Sequence, residues 1–136
     1  MLFMTQEDKE LLLKDLCARL SYGVICYYNC VTSYDDIVIH KANCNGPLEG
    51  IVPMSNGNIG FMVGMDKINA LQGDIKPYLR SLSSMTEEEK TELFQLMGNG
   101  TDIQRIDFYL SHYFDFRCLI PMGLALEAKE GMYKID

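Results

Sequence analysis

Cys26, Cys30, His40 and Cys44 are the residues best spaced to do chemistry together, in a C-x3-C…H-x3-C pattern of three thiols and one imidazole. Zinc takes such a set tetrahedrally in structural sites. The spacing works against it here. Cys26 and Cys30 fall in a β-like run, and residues four apart on a strand are separated by about 13 Å at ~3.3 Å per residue. His40 and Cys44 meet the same obstacle if their strand continues. The plain reading is reduced thiols used as small apolar side chains, with no metal and no cofactor. Five cysteines (Cys17, Cys26, Cys30, Cys44 and Cys118), an odd number with no secretory signal beside them, fit mostly buried free thiols.

Cys118 next to Arg117 invites a nucleophile reading, because a neighbouring cation lowers a thiol pKa. His112, six residues earlier, would be its base. Adjacent residues usually point apart, and no third partner accompanies the pair, so a structural cysteine and a half-buried histidine are the simpler expectation. Asp35-Asp36 falls at a hairpin turn and Glu87-Glu88-Glu89 in the first turn of a helix, where acids are favoured for local reasons. The glycines around Asn58 and Asn99 lack the lysine and hydroxyl of a phosphate loop. The aromatic run Phe108, Tyr109, Tyr113, Phe114 and Phe116 is denser than one helix face needs, and any exposed part of it would suit a protein interface.

The elements that must position these residues begin with a phrase used twice. Met4-Thr5-Gln6-Glu7-Asp8 is echoed by Met85-Thr86-Glu87-Glu88-Glu89. In each, a threonine hydroxyl can accept from the free N–H groups of a first helical turn, and an acid three positions on can reach back to the threonine N–H. A helix is therefore expected over 5–20, with Leu12, Leu13, Leu16, Cys17 and Leu20 on its apolar side. Glu10, Lys14, Asp15 and Arg19 occupy most of the remainder, and Tyr22-Gly23 ends the helix. From 24 to 82 the texture is β-rich: strands over 24–31 and 36–43, with Ser33-Tyr34-Asp35 in the hairpin between them. Turn chemistry follows over 43–47, then strands over 48–54 and 59–65 about an Asn56-Gly57-Asn58 turn. Ile75 to Leu79 can add a fifth. A second helix is expected from Thr86 to about Met97 and a third from Asp102 to Tyr113, its face made by Ile103, Ile106, Leu110 and Tyr113. An apolar tail over 114–136 would dock on the core.

At 136 residues the chain is the size of one domain, so residues 1–136 are expected to share one core. No apolar run approaches the roughly 20 residues needed to cross a membrane. Met1-Leu2-Phe3-Met4 is too short for a signal peptide, which makes the cytoplasm the expected location. The net charge of −7, from 19 acids and 12 scattered bases, lacks the electrostatic attraction on which most nucleic-acid binding depends.

Three blocks carry a resemblance. They are Lys14-Asp15-Leu16-Cys17-Ala18-Arg19-Leu20-Ser21-Tyr22-Gly23-Val24, then 74–88 from Asp74-Ile75-Lys76-Pro77-Tyr78 to Thr86-Glu87-Glu88, and a third from Phe114-Asp115-Phe116-Arg117 through Leu119-Ile120-Pro121-Met122-Gly123 to Glu130-Gly131-Met132-Tyr133. Together they resemble an uncharacterised family of small proteins from gut anaerobic bacteria and their prophages. Ser21 stands where that family usually has proline, and Cys118 where it usually has glycine. The family has no assigned activity, so the resemblance implies no functional residue. What it implies is a stable frame around a changeable β-rich middle.

The expected fold is α+β: an N-terminal helix, a small bent antiparallel sheet or SH3-like barrel, two C-terminal helices and a docked tail. The expected function is a non-catalytic protein-interaction module of prophage or mobile-element origin, with Tyr34, Asn45, Asn58 and Tyr109 as the candidate interaction surface. An enzyme with an unrecognised site is the alternative, and a small metal-binding domain the third.

Overall fold

A computed structural model describes residues 5–34, 36–53, 59–63, 66–69 and 75–133. The fold is α+β, and the chain forms two compact units, Met1–Tyr78 and Leu79–Asp136.

The first unit opens with α1 (Gln6–Arg19). The Thr5 hydroxyl accepts from the Asp8 N–H at 3.1 Å and the Asp8 carboxylate accepts from the Thr5 N–H at 3.3 Å, completing the expected capping box. A 3-10 turn (Leu20–Tyr22) and Gly23, at φ +63°, then end the helix where the sequence placed its stop. The buried stripe differs from expectation. It is Leu12, Asp15, Leu16 and Arg19, whereas Cys17 is exposed. Asp15 and Arg19 were assigned to the polar side, yet both are fully buried and paired, Arg19 Nε to Asp15 Oδ2 at 2.8 Å. The i, i+4 spacing lets one charge answer the other on the inward face.

Five strands follow: β1 (Ile25–Tyr34), β2 (Ile37–Pro53), β3 (Ile59–Val63), β4 (Asp66–Asn69) and β5 (Ile75–Leu79), whose last residue begins the second unit. They form an open sheet in the order β4-β3-β2-β1-β5, all four ladders antiparallel. The turn expected over 43–47 does not form. Those residues lie inside β2, a single strand of 17 residues. Between Tyr28↔Cys44 and Cys30↔Lys41 the register shifts, leaving an extra residue on β2. Asn43 takes φ +56° there, its N–H donating to Asn29 Oδ1 at 3.0 Å and its Oδ1 accepting from the Tyr27 hydroxyl. The turn-like sequence thus makes a bulge, which bends a strand without ending it. At Pro47 β2 leaves β1, and from Leu48 it pairs with β3, with a second shift between Leu48 and Gly50. Because β1 runs on to Tyr34, the hairpin is tighter than expected. β4 adds a short strand between the two expected over 59–65 and 75–79, and the Asn56-Gly57-Asn58 turn lies outside the described residues. Among the described residues the buried apolar side chains of this unit are Leu12, Leu16, Val24, Cys26, Tyr28, Cys30, Leu48, Phe61, Val63, Ile75 and Tyr78.

In the second unit α2 spans Glu87–Asn99 and α3 Asp102–Ser111. Thr86 and Thr101 each cap their helix with a complete box, through Glu89 and Gln104. Gly100 belongs to the short connection between them, and a Cβ there would stand 2.6 Å from the Leu96 carbonyl oxygen, so the helical hairpin requires glycine. The third helix stops before Tyr113, which adopts φ +63°. Its expected inward face is wrong at two positions, since Ile103 and Ile106 are exposed while Phe108 and Leu110 are buried. The tail packs as expected: Leu119, Leu124 and Ala125 are buried, and the Ala128 N–H donates to the Leu79 carbonyl at 2.7 Å beside the short β6 (Leu126–Glu127). The buried Asp115 carboxylate accepts from the Leu119 and Ile120 N–H groups, fixing the turn into that tail. Among the described residues no helix is long and apolar enough to cross a membrane.

Thr86→Ala is expected to cost about 1 kcal/mol, the usual loss at a capping threonine. A urea melt matching the parent would show that the hydroxyl does not hold this helix end.

Candidate functional site

The thiol and imidazole set is spread along the β1–β2 ladder. Cys26 lies opposite Gly46, Cys44 opposite Tyr28 and His40 opposite Val31, while Cys30 and Cys26 are both buried. Burial pushes the Cys26 thiol up to about 12; nearby Asp15 adds to the rise and Arg19 opposes it. A thiol so placed stays protonated and serves as a packed apolar group. Cys44 is half-buried, and Cys17 and Cys118 are exposed, so only two of the five thiols are buried. Among the described residues no three His, Cys, Asp or Glu side chains converge in a way that could hold a metal ion.

His112 does not serve Cys118. Its Nδ1 lies 2.9 Å from Glu89 Oε2 and its Nε2 lies 3.7 Å from Glu92 Oε2. An ionised carboxylate only accepts, so the Glu89 contact requires the proton on Nδ1. Cys118 sits at φ +60° in the turn after Asp115, and the Arg117 guanidinium lies over the Phe116 ring at 4.4 Å.

The acids at the start of α2 are more than a dipole effect. Glu89 is buried and gathers three elements. Arg80 grips it with two bonds of 2.7 Å, the Thr86 N–H donates to it at 2.9 Å, and His112 approaches from the end of α3. Arg80 also lies 4.3 Å over the Phe114 ring, and its backbone bridges residues 113–115. The Arg80 bonds hold the Glu89 carboxyl down at about 2; burial opposes this, and the Thr86 N–H supports it. Oriented imidazole and carboxylate resemble part of an acid–base apparatus. Here, however, the second ring nitrogen faces another carboxylate, and Arg80 is consumed in the pair. The arrangement is a structural clasp.

Its stability contribution has a definite sign. A carboxyl whose folded pKa is below its ordinary value stabilises fully above about 4.5 and loses that contribution as pH falls towards 2. An acid limb on the order of 2 kcal/mol is expected in this window, measured by urea unfolding between pH 5 and about 2.5. Glu89→Gln should flatten it. An unchanged limb in that variant would assign the acid sensitivity elsewhere.

Beside the clasp is a cleft of about 350 Å³ lined by Arg80, Ser81, Ser84, Glu127, Lys129 and Glu130, among others. It mixes both signs of charge, and Ala128 and Tyr133 add apolar surface to its lining.

Of the sequence-predicted interaction residues, Tyr34 and Asn45 belong to the first unit and Tyr109 to the second. Tyr34 ends β1 opposite Ile37. Asn45 is no loop residue: it stands within β2 opposite Tyr27, and its side chain accepts from the Tyr78 hydroxyl at 2.8 Å. Asn58 lies outside the described residues. Tyr109 stacks on Phe116 at 5.3 Å. The rest of the aromatic run is also in ring contact: Phe108 and Phe114 are buried with centroids 6.0 Å apart and the His112 ring packs against both, while Tyr113 stacks on Tyr133 at 3.8 Å.

Exposed apolar surface lies elsewhere in the second unit. Phe94 is 80% exposed, Ile103 73%, Met97 65% and Ile106 43%. On each helix the two residues are spaced i, i+3, so each helix presents a short apolar ridge. The sequence held one clue, an apolar pair at Phe94 and Met97 turned about 100° from Leu93 and Leu96 on a helix of ~3.6 residues per turn. Two apolar stripes on one helix are more than one core needs.

Comparison with protein-family models gives no match, and neither do comparisons with curated proteins and with solved structures.

Proposed function

We propose that this chain is a non-catalytic protein-interaction module and that the α2–α3 hairpin carries its binding surface. The observation that supports this is the exposure of Phe94, Met97, Ile103 and Ile106 on helices whose core is already filled by Phe108, Leu110, Phe114, Leu119 and Leu124. Large apolar side chains presented together in water mark interaction sites more often than chance placement does. A mobile-element origin, which the sequence resemblance implies, suits such a module. The tip of the β1–β2 hairpin is a second candidate surface, because Ile37 and Val38 are exposed next to Tyr34.

Retention of proteins from the cell of origin on the immobilised chain tests the proposal. The Phe94→Ser/Ile103→Ser double variant is expected to lose at least about tenfold in affinity, the equivalent of 1.4 kcal/mol. Its melting should stay within about 0.5 kcal/mol of the parent, as for exposed positions generally. Equal retention by this variant, with loss on Ile37→Ser/Val38→Ser, would move the surface to the β-hairpin.

A further inference from the structure

We infer that the occupant of the α2–α3 face is a basic amphipathic helix of a partner protein; this rests on the reading of that face as the binding surface. Two features of the hairpin specify it. Phe94 with Met97, and Ile103 with Ile106, make i, i+3 ridges on two helices joined by two residues, and ridges of this kind interdigitate with those of another helix. Around them the exposed charge is one-sided. Glu87, Glu88, Glu92, Asp102 and Asp107 are exposed carboxylates, and Lys90 is the one exposed cation of the two helices. Lys90 is itself paired with Glu87 at 3.1 Å, and Arg105 with Asp102. Asp107 is one helical turn from Ile103 and borders the α3 ridge, while the charge one turn from Phe94 on α2 is Lys90, already neutralised by Glu87.

Apolar anchors inside an anionic rim are complemented by apolar anchors inside a cationic rim. The same electrostatics argue against two other occupants. A second copy would set the acidic rim against itself across a two-fold axis, which is repulsive. An anionic bilayer surface would be repelled likewise.

Two synthetic peptides test this, each about 18 residues or five helical turns long. Both carry leucine on one face; the polar face is lysine in one and glutamate in the other. Calorimetric titration of the whole chain should show the lysine peptide binding at least tenfold tighter than the glutamate peptide, with affinity falling as salt rises. Phe94→Ser/Ile103→Ser should weaken lysine-peptide binding at least tenfold, and Glu88→Lys/Asp107→Lys should narrow the gap between the peptides. Equal binding of both peptides, still lost in the Phe94 variant, would overturn the charge inference and leave the apolar binding face standing. Lysine-peptide binding indifferent to Phe94 and Ile103 would overturn the inference together with that face. Absence of binding by either peptide overturns the inference alone. Self-association abolished by Phe94→Ser, or binding to phosphatidylserine vesicles in place of peptide, would also overturn it by naming another occupant.

Discussion

Asp15→Ala is expected to destabilise the first unit by about 3–5 kcal/mol, the largest effect of any single substitution considered for this chain. Arg19 has no exposed side-chain surface, and its Nε lies 2.8 Å from Asp15. Truncating the acid removes the carboxylate at the Nε of a guanidinium in the packed interior. A cation held out of water without its counter-charge is costly because the attraction that offset its desolvation is gone. The double variant Asp15→Leu/Arg19→Met removes both charges while keeping volume, and most of the loss should return. Chemical denaturation followed by circular dichroism measures both. A single variant that melts like its parent would mean that solvent reaches Arg19 in solution.

Leu16→Ala should cost about 2–5 kcal/mol, from lost apolar burial and the cavity left behind. Leu16 is wholly buried on the same stripe as Asp15. Ile106→Ala makes the internal contrast. Periodicity places Ile106 on the inward face of its helix, but 43% of it is exposed, and a cost of less than about 1 kcal/mol is expected there. If both substitutions cost the same in denaturant melts, the burial assigned to α3 would be incorrect.

These two predictions mark where the sequence was legible. Helix starts were, because a threonine with an acid three residues on is a local arrangement of donors and acceptors, complete within one turn; Thr5 and Thr86 both cap as read. Helix faces were less so. Charge says that a side chain seeks a partner, not that the partner is water, so Asp15 and Arg19 could satisfy each other inside. Asn43 to Pro47 read as a turn because asparagine tolerates positive φ, and Asn43 does adopt it. The bulge uses the same chemistry and keeps the strand going, and only the partner strand decides between the two. Ile103 and Ile106 share a stripe with Leu110, and spacing alone cannot say how far along a helix the core extends. The aromatic run makes ring contacts that only the fold reveals, such as Tyr113 on Tyr133, whereas the exposed ridge at Phe94 and Met97 was legible only as a second apolar stripe beside Leu93 and Leu96.

Site-directed photo-crosslinking addresses the central claim most directly. A photoreactive amino acid is placed singly at positions 94, 103, 34, 45, 58 and 109, and each chain is irradiated in the cell that makes it. The proposal predicts one shared adduct from positions 94 and 103, and none of it from 45 or 109. The same adduct from 34 or 58, with none from 94 and 103, would contradict the proposal and place recognition on the β-rich half of the chain.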